Sequence, residues 1–314
     1  MRIVFMGTPD FGVPTLKKIA NDNQEVVAVV TQPDKPRGRG HKHIFSPIKK
    51  VALELDLPVL QPENINTPEF VKVINSYKPQ VIIVAAFGQI LKPEVLKIPA
   101  LGCLNLHASL LPKYRGAAPI QWAMARGETI TGVTIQKMVE KLDAGNILVQ
   151  KQEEIKLSDT AVDLFERLSC LGSEAVKEAL NSLPNEGVAQ DEELATLAPK
   201  LTKEDGLIDW NLTGVEIYNR VRAFKPWPGT YTWLADKKLK VITTELSDTK
   251  LLEESKPGTI LEMTKAGAWL VSTGKNTTLK ILEIQQENTK VMSPQAFVCG
   301  YRVSENLVLS SREE

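Results

Sequence analysis

Asn105 and His107 are the residues whose types and spacing could do chemistry, and the chemistry would be stabilisation of negative charge on an attacked carbonyl. They interrupt the run Leu101-Gly102-Cys103-Leu104-Asn105-Leu106-His107. If that run is a strand, its period of two sets Cys103, Asn105 and His107 on one face and Leu104 and Leu106 on the other. Two side chains able to donate hydrogen bonds then point together at the strand's carboxyl end, which suits a developing oxyanion. A plainer role also fits, with Asn105 ending the strand and His107 a hydrogen-bonded core histidine. Leu142-Asp143-Ala144-Gly145 supplies a carboxylate for proton transfer or for orienting a histidine. Asp143 equally fits a turn residue that bonds its own backbone. Spacing alone does not bring it to His107.

The elements that must position these residues alternate. Ile3 to Met6 reads as a strand, Val13 to Ala20 as a helix and Val26 to Thr31 as a buried strand. Pro47 to Leu55 predicts a helix with Ser46 as its cap and Pro47 at its first position. Thr67-Pro68 opens another over Glu69 to Tyr77. Val81 to Ala86 is continuously apolar, as in a strand covered on both faces, and Leu101 to His107 follows. Strands separated by helices predict an α/β fold, a Rossmann-like, doubly wound and mostly parallel sheet. Beyond Thr131, two strands, Val133 to Val139 and Asn146 to Glu153, flank the turn at Asp143. A helix from about Thr160 to Leu183 carries Leu164, Leu168, Leu171 and Ala175 on one face, with Ser158 or Asp159 as its cap. Residues 185–206 have no sustained periodicity and read as a linker. A short helix and about five short strands over 207–314 predict a small β-barrel. The domains are therefore expected over 1–184 and 207–314.

Composition narrows the function classes. A chain of 314 residues exceeds one typical domain. Basic and acidic residues both number 38, so bulk charge does not hold this protein to nucleic acid. A local patch exists, because residues 34–50 hold six basic residues (Lys35, Arg37, Arg39, Lys42, Lys49, Lys50) against Asp34, a net +5. With Gly38 and Gly40 inside it, this segment fits either a loop that follows a phosphate backbone or a solvated surface loop. Three scattered cysteines, Cys103, Cys170 and Cys299, fit neither a disulfide framework nor a zinc knuckle, and no metal is expected. Cys103 reads as a buried, inert thiol. The longest apolar stretch, Val81 to Phe87, is too short to span a bilayer. The N-terminus enters a strand at once and does not read as a signal peptide, so the expected compartment is the cytoplasm. Disorder is expected only in Ser310 to Glu314, and nothing demands more than a monomer.

Asn105-x-His107-x-Ser109-Leu110-Leu111-Pro112, then Gly116, then Leu142-Asp143-Ala144-Gly145, resembles the signature of the 10-formyltetrahydrofolate-dependent formyltransferases. The resemblance implies that Asn105, His107 and Asp143 are catalytic. It also implies that Ser109, Leu110, Leu111 and Pro112 hold the folate together with the loop Ala86-Phe87-Gly88-Gln89-Ile90-Leu91. An uncharged amine would attack the formyl carbon of 10-formyltetrahydrofolate. Asn105 and His107 would meet the oxyanion, and Asp143 would help move the amine proton. Members of the family that act on methionyl-tRNA carry a long basic inserted loop, which Thr31 to Lys42 closely resembles. By that likeness Arg39 reads the acceptor stem, and Lys35, Arg37 and Lys42 contact phosphates. Asp209-Trp210, Arg220-Val221-Arg222-Ala223-Phe224 and Pro226-Trp227-Pro228-Gly229-Thr230 resemble the start of the family's OB-like tRNA-binding domain. Residues 205–314 balance 14 basic against 14 acidic residues, so any contact there needs a local face, with Arg220, Arg222, Lys237, Lys238 and Lys240 as candidates.

The expected reaction is thus formyl transfer to the α-amino group of methionyl-initiator tRNA. A sugar-nucleotide formyltransferase would share the three catalytic residues but has no need of the basic loop. A non-catalytic RNA-binding protein would not need Asn105, His107 and Asp143 intact. A nicotinamide oxidoreductase is disfavoured because Pro9 and the spacing of Gly7 and Gly12 break the dinucleotide glycine motif. Met6 to Gly12 matches the formyltransferases instead, either lining the pocket or serving as a structural turn.

Overall fold

The computed structural model of the chain describes residues 1–37, 42–249, 251, 255–300 and 307–311. Its first strands and helices are β1 (Arg2–Gly7), α1 (Val13–Ala20), β2 (Glu25–Val30), β3 (Lys35–Arg37), β4 (Lys42–Ile44), α2 (Pro47–Glu54), β5 (Val59–Leu60), α3 (Pro68–Ser76) and β6 (Val81–Ala85). Next come α4 (Pro93–Leu96), β7 (Cys103–His107), β8 (Arg115–Gly116), α5 (Pro119–Ala125), β9 (Ile130–Lys137), β10 (Ile147–Glu154) and α6 (Ala161–Ser182). The remainder is β11 (Leu197–Ala198), α7 (Gly214–Ala223), β12 (Thr230–Leu234), β13 (Lys237–Leu246), β14 (Ile260–Met263), β15 (Trp269–Thr273), β16 (Thr277–Gln286), α8 (Pro294–Gly300) and β17 (Leu309–Ser310). Packing divides the chain into two units, residues 1–119, 130–154 and 165–199, and residues 120–129, 155–164 and 200–314.

The first unit holds a seven-stranded sheet in the order β10-β9-β7-β6-β1-β2-β5. The strands from β7 to β5 are parallel, whereas β9 and β10 are antiparallel additions at the other edge. All five residues of β6 are buried, as a strand covered on both faces must be. The chain runs outward from β1 to β5, then returns to β6 on the opposite side of β1. That reversal makes a crevice at the carboxyl ends of β1 and β6, where open α/β sheets place ligands. Thr8 Oγ1 donates to the carbonyl of Phe87 across it at 3.0 Å. Local chemistry fixes the helix starts. Ser46 Oγ accepts from Lys49 N ahead of Pro47, and Thr67 Oγ1 accepts from Phe70 N ahead of Pro68. Helix α6 is capped by Thr160, not Ser158 or Asp159, because Asp163 accepts from Thr160 N and from its hydroxyl. Among the described residues no helix is long and apolar enough to cross a membrane.

The second unit contains a six-stranded antiparallel sheet in the order β14-β15-β16-β13-β12-β17. Its two edge strands meet, and the sheet closes into a barrel. Ile260 N donates to Leu307 O at 2.9 Å, and Leu309 N donates to Gly258 O at 2.8 Å. The buried core inside includes Trp210, Val241, Trp269, Ile281 and Phe297. Trp269 and Phe297 meet edge to face with centroids 5.9 Å apart. The sixth strand, Leu309–Ser310, reaches into the first residue of the stretch expected to be disordered. Ser310 pairs with Trp233 and Ser311 Oγ bonds Ile208 O, while 312–314 lie outside the described residues. Closure requires Gly258, whose φ is 89° and whose Cβ, if it had one, would stand 2.2 Å from Leu309 O. Gly258→Ala should therefore destabilise the barrel by about 2 kcal/mol. Urea denaturation followed by tryptophan fluorescence checks this, and an unchanged midpoint would refute it.

Candidate active site

Strand β7 carries Asn105 and His107 on one face, and the antiparallel β9 sets Gln136 opposite Asn105 and Thr134 opposite His107. Val133 and Ile135 occupy the other face of β9, so Thr134 and Gln136 are polar residues buried by register. Residues 138–146, between β9 and β10, fold back over this face and bring Asp143 to it. Asp143 Oδ1 accepts from Gln136 Nε2 at 2.9 Å and from Asn105 Nδ2 at 3.3 Å. Its Oδ2 accepts from Gly116 N at 2.9 Å and lies 3.7 Å from His107 Nδ1. The Asp143 and His107 side chains are only 8% and 6% exposed.

His107 Nε2 lies 2.9 Å from the carbonyl oxygen of Tyr114. A carbonyl only accepts, so Nε2 carries the hydrogen and Nδ1 is the nitrogen left facing Asp143 and any substrate. A gap of 3.7 Å is too long for a hydrogen bond. Tyr114 (φ 62°) and Asp143 (φ 49°) both hold left-handed backbone conformations, the kind of local strain that clusters at functional sites.

The expected folate residues divide into two groups. Ser109 Oγ donates to Lys113 O, and Ser109 O accepts from Thr134 Oγ1 at 2.6 Å. Leu111 is buried, with its N–H on Thr134 Oγ1. These two hold the loop's shape, whereas Leu110 and Pro112 are half-buried and have surface to offer. In the loop after β6, Phe87 is buried and Gln89 bonds Ile65 N and the carbonyls of Pro62 and Glu63. Ala86, Gly88 and Ile90 are the exposed members, Ile90 by 75%.

Of the expected tRNA contacts, Arg39 lies outside the described residues, as do the side chains of Lys35, Arg37 and Lys42. Lys35, Arg37 and Lys42 belong to the paired strands β3 and β4. At the base of this segment Lys49 is ion-paired with Asp34, and Gln61 bridges both. Arg222 does not fit a phosphate contact. It is buried and donates to Asn219 Oδ1 and to the carbonyls of Lys156 and Asp159. Burial pushes the Cys103 thiol up to about 12, which makes it unreactive. Among the described residues no group of three or more His, Cys, Asp or Glu is arranged to hold a metal ion.

Sequence reasoning missed Gln136, Arg115, Gln190 and Glu192. Gln190 Nε2 donates to Asp143 O at 2.8 Å and Gly145 O at 2.7 Å. Arg115 is buried, donates to Gln190 Oε1 at 2.8 Å and forks onto both oxygens of Glu192 at 3.0 Å. Lys141 adds a third donor to Glu192 at 2.7 Å. A detectable signal existed for Gln136, because a glutamine at the core-facing phase of a β-branched strand requires a partner. For Gln190 and Glu192, in a stretch without periodicity, there was none.

Residues 1–180 match the family described as formyl transferase, and residues 200–302 match the formyl transferase C-terminal domain. The methionyl-tRNA formyltransferase of Caldanaerobacter subterraneus subsp. tengcongensis is 45% identical over 313 residues, covering 98% of this chain and 100% of that one. The methionyl-tRNA formyltransferase of Geobacter sulfurreducens is 45% identical over 306 residues, covering 96% and 95%. Among solved structures, an N-formyltransferase from Helicobacter canadensis in complex with folinic acid and dTDP-3-aminofucose superposes with a TM-score of 0.65. Its identity is 20%, with 90% of this chain and 98% of that chain covered, a likeness of fold.

Hydrogen bonds from Arg115 and then Lys141 hold the Glu192 carboxyl at about 2, against a usual 4.5. A depressed folded-state pKa contributes stability that is complete above the unfolded value and is lost as pH falls through the folded one. Glu192→Gln should therefore lower thermal stability at pH 6, with the difference largely gone by pH 2. The carboxylate is half-exposed, so the gap at pH 6 should shrink in 1 M salt. Melting curves of both proteins across pH check this, and a gap that persists undiminished at pH 2 would refute it.

Proposed function

The chain belongs to the formyl transferase family, and from that premise we infer that it moves the formyl group of 10-formyltetrahydrofolate onto the α-amino group of methionyl-initiator tRNA. The product is N-formylmethionyl-tRNA, which serves translation initiation. The observation that carries the chemistry is the meeting of Asn105, His107 and Asp143 within one buried cluster of hydrogen bonds. Near-full-length similarity to relatives named for methionyl-tRNA, rather than the distant fold likeness to sugar-directed enzymes, supports the acceptor.

The neutral amine attacks the formyl carbon, the carbonyl π pair moves onto oxygen, and a tetrahedral species forms. An α-amino group has a reference pKa of about 8, so a useful neutral fraction exists at pH 7. Asn105 has a second N–H beyond the one aimed at Asp143, and it meets the oxyanion. With Nε2 tied to Tyr114, His107 addresses the same oxygen through Nδ1 when that nitrogen carries a proton. Asp143, across the 3.7 Å gap, faces the resulting charge and takes the amine proton, directly or through water. The oxyanion pair then re-forms the carbonyl and the bond to the folate nitrogen breaks, with that nitrogen taking up the proton that Asp143 received. The exposed Ala86, Gly88 and Ile90 with Leu110 and Pro112 form the folate-facing surface, and Lys35, Arg37, Arg39 and Lys42 engage the tRNA. A charged tRNA as acceptor supports a cytoplasmic location.

One assay tests the reading: purified protein, 10-formyltetrahydrofolate, and methionyl-initiator tRNA beside elongator tRNA, glycinamide ribonucleotide and an amino-sugar nucleotide. Formylation of the initiator tRNA alone is expected, and preference for the sugar would overturn the acceptor. His107→Ala and Asp143→Asn should each lower kcat at least about 100-fold with the fold retained. Near-normal turnover in both would remove them from the reacting group. Arg39→Ala should raise KM for tRNA and leave KM for the folate unchanged, whereas equal effects on both would contradict a tRNA-specific role.

A further inference from the structure

Residues 187–198 follow α6 and return to the sheet, where they touch the 114–116 segment, Gln136 and the backbone around Asp143. Val188 bridges Ile147 at the start of β10, with mutual hydrogen bonds of 2.8 and 2.9 Å. Gln190 binds the carbonyls of Asp143 and Gly145, and Glu192 clamps Arg115. Thr196 Oγ1 accepts from Tyr114 N at 2.8 Å, and Thr196 O accepts from Arg115 N at 2.8 Å. Tyr114 is the residue whose carbonyl holds His107. Leu197 and Ala198 (β11) pair in parallel with Arg115 and Gly116 (β8), and the Gly116 N–H holds Asp143 Oδ2. Gly116 sits so close to this strand that a Cβ on it would stand 2.5 Å from Ala198 O.

The hydrogen bonds have a direction. Arg115 can only donate, so it requires the oxygen of Gln190 and turns the Gln190 amide nitrogen toward the Asp143 turn. That nitrogen reaches the carbonyls of Asp143 and Gly145 and, at 3.4 Å, Gln136 Oε1. Gly145 N also donates to Gln136 Oε1 at 3.1 Å. Gln136 must therefore present its own NH2 to Asp143 Oδ1. The guanidinium of Arg115 thus sets the polarity of two successive amides, the second of which donates to the carboxylate.

We propose that the 187–198 segment is a strap that keeps His107 and Asp143 in register for formyl transfer, with Gln190 as its principal positioning residue. Gln190 touches no reacting atom and works through Gln136 and the backbone on either side of Asp143. The kinetic side of this proposal rests on the functional reading above, whereas the structural side does not. Displacements of about 1 Å in a reacting group cost on the order of 100-fold in rate. The strap's loss should consequently appear in kcat before it appears in substrate binding.

The test uses the full chain with Gln190→Leu, Gln190→Glu and Thr196→Val. Gln190→Glu keeps an acceptor for Arg115 but removes the donors to Asp143 O and Gly145 O. Both Gln190 variants should lower kcat at least about tenfold, with KM for methionyl-tRNA and for 10-formyltetrahydrofolate within about twofold. A substrate-free arm follows amide hydrogen exchange at Gly116, which donates to Asp143, and Gly145, which donates to Gln136. Both amides should exchange at least about tenfold faster in the Gln190 variants, while those of β1 and β6 keep their wild-type rates. Thr196→Val should speed exchange at Tyr114 and lower kcat in the same sense. Wild-type exchange at Gly116 and Gly145 in the variants would overturn the strap, as would a kcat that falls only with the folded fraction. If the wild-type chain formylates no acceptor, the functional reading fails and the exchange arm alone decides the strap.

Discussion

A carboxylate removed from water must be met by donors, and the site of this protein is organised around satisfying Asp143. Three groups do so from three places: the Gly116 N–H on the loop after β7, the Gln136 amide on β9, and the Asn105 amide on β7. Each imposes its own condition. Gly116 must be glycine, because β11 runs where a side chain would be. Gln136 must face the core side of β9, which the Asn105–Gln136 pairing register provides. A slip of β9 by one residue would turn Gln136 toward the opposite face. The edge of the sheet, the loop and the return strand are thus linked through one buried group.

The antiparallel addition of β9 and β10 explains how that group arrives. A parallel strand would have needed a crossover and would have sent the chain to the far side of the sheet. Pairing β9 antiparallel to β7 lets residues 138–146 double back over the Asn105 face within a short connection. The crevice at the ends of β1 and β6 is then bordered by rigid strands. The loop beyond it keeps Ala86, Gly88 and Ile90 exposed because Phe87 and Gln89 anchor it from beneath.

Much of this was legible in the sequence. The strands at Ile3 and Val81, the Ser46-Pro47 and Thr67-Pro68 helix starts and the shared face of Asn105 and His107 follow from local periodicity and capping. The approach of Asp143 to that face does not, because it depends on the path of a nine-residue connection between β9 and β10. It entered only through resemblance to known formyltransferases. The strap was illegible for a different reason. Residues 187–198 are held by polar side chains and two-residue pairings, which leave no hydrophobic repeat, and such a stretch reads as linker. The barrel's sixth strand was hidden likewise, since Leu309–Ser310 is too short to register as a strand by pattern. Arg222 looked like surface charge because a helix presents one arginine every few residues irrespective of burial. Only its three acceptors reveal it as internal.

On the proposed function, chemistry and acceptor choice fall on segments with opposite physical requirements. Formyl transfer needs donors fixed before the reaction begins, and here Asn105 and His107 lie in β7 while Gln136 and Gly116 brace Asp143 from either side. Following a phosphate backbone needs positive charge, and residues 34–50 carry a net +5 within a chain that is neutral as a whole. The Lys49–Asp34 pair belongs to neither role by charge, since its members cancel. With Gln61 it ties the base of the basic segment to the rim of the sheet beside Gln32, whose carbonyl Gln61 also holds. The excess then rests on Lys35, Arg37, Arg39, Lys42 and Lys50, four of them in the segment between the anchored ends of β3 and β4. On the proposed function, changing these four would weaken the hold on the tRNA while Asn105, His107 and Asp143 stay in place.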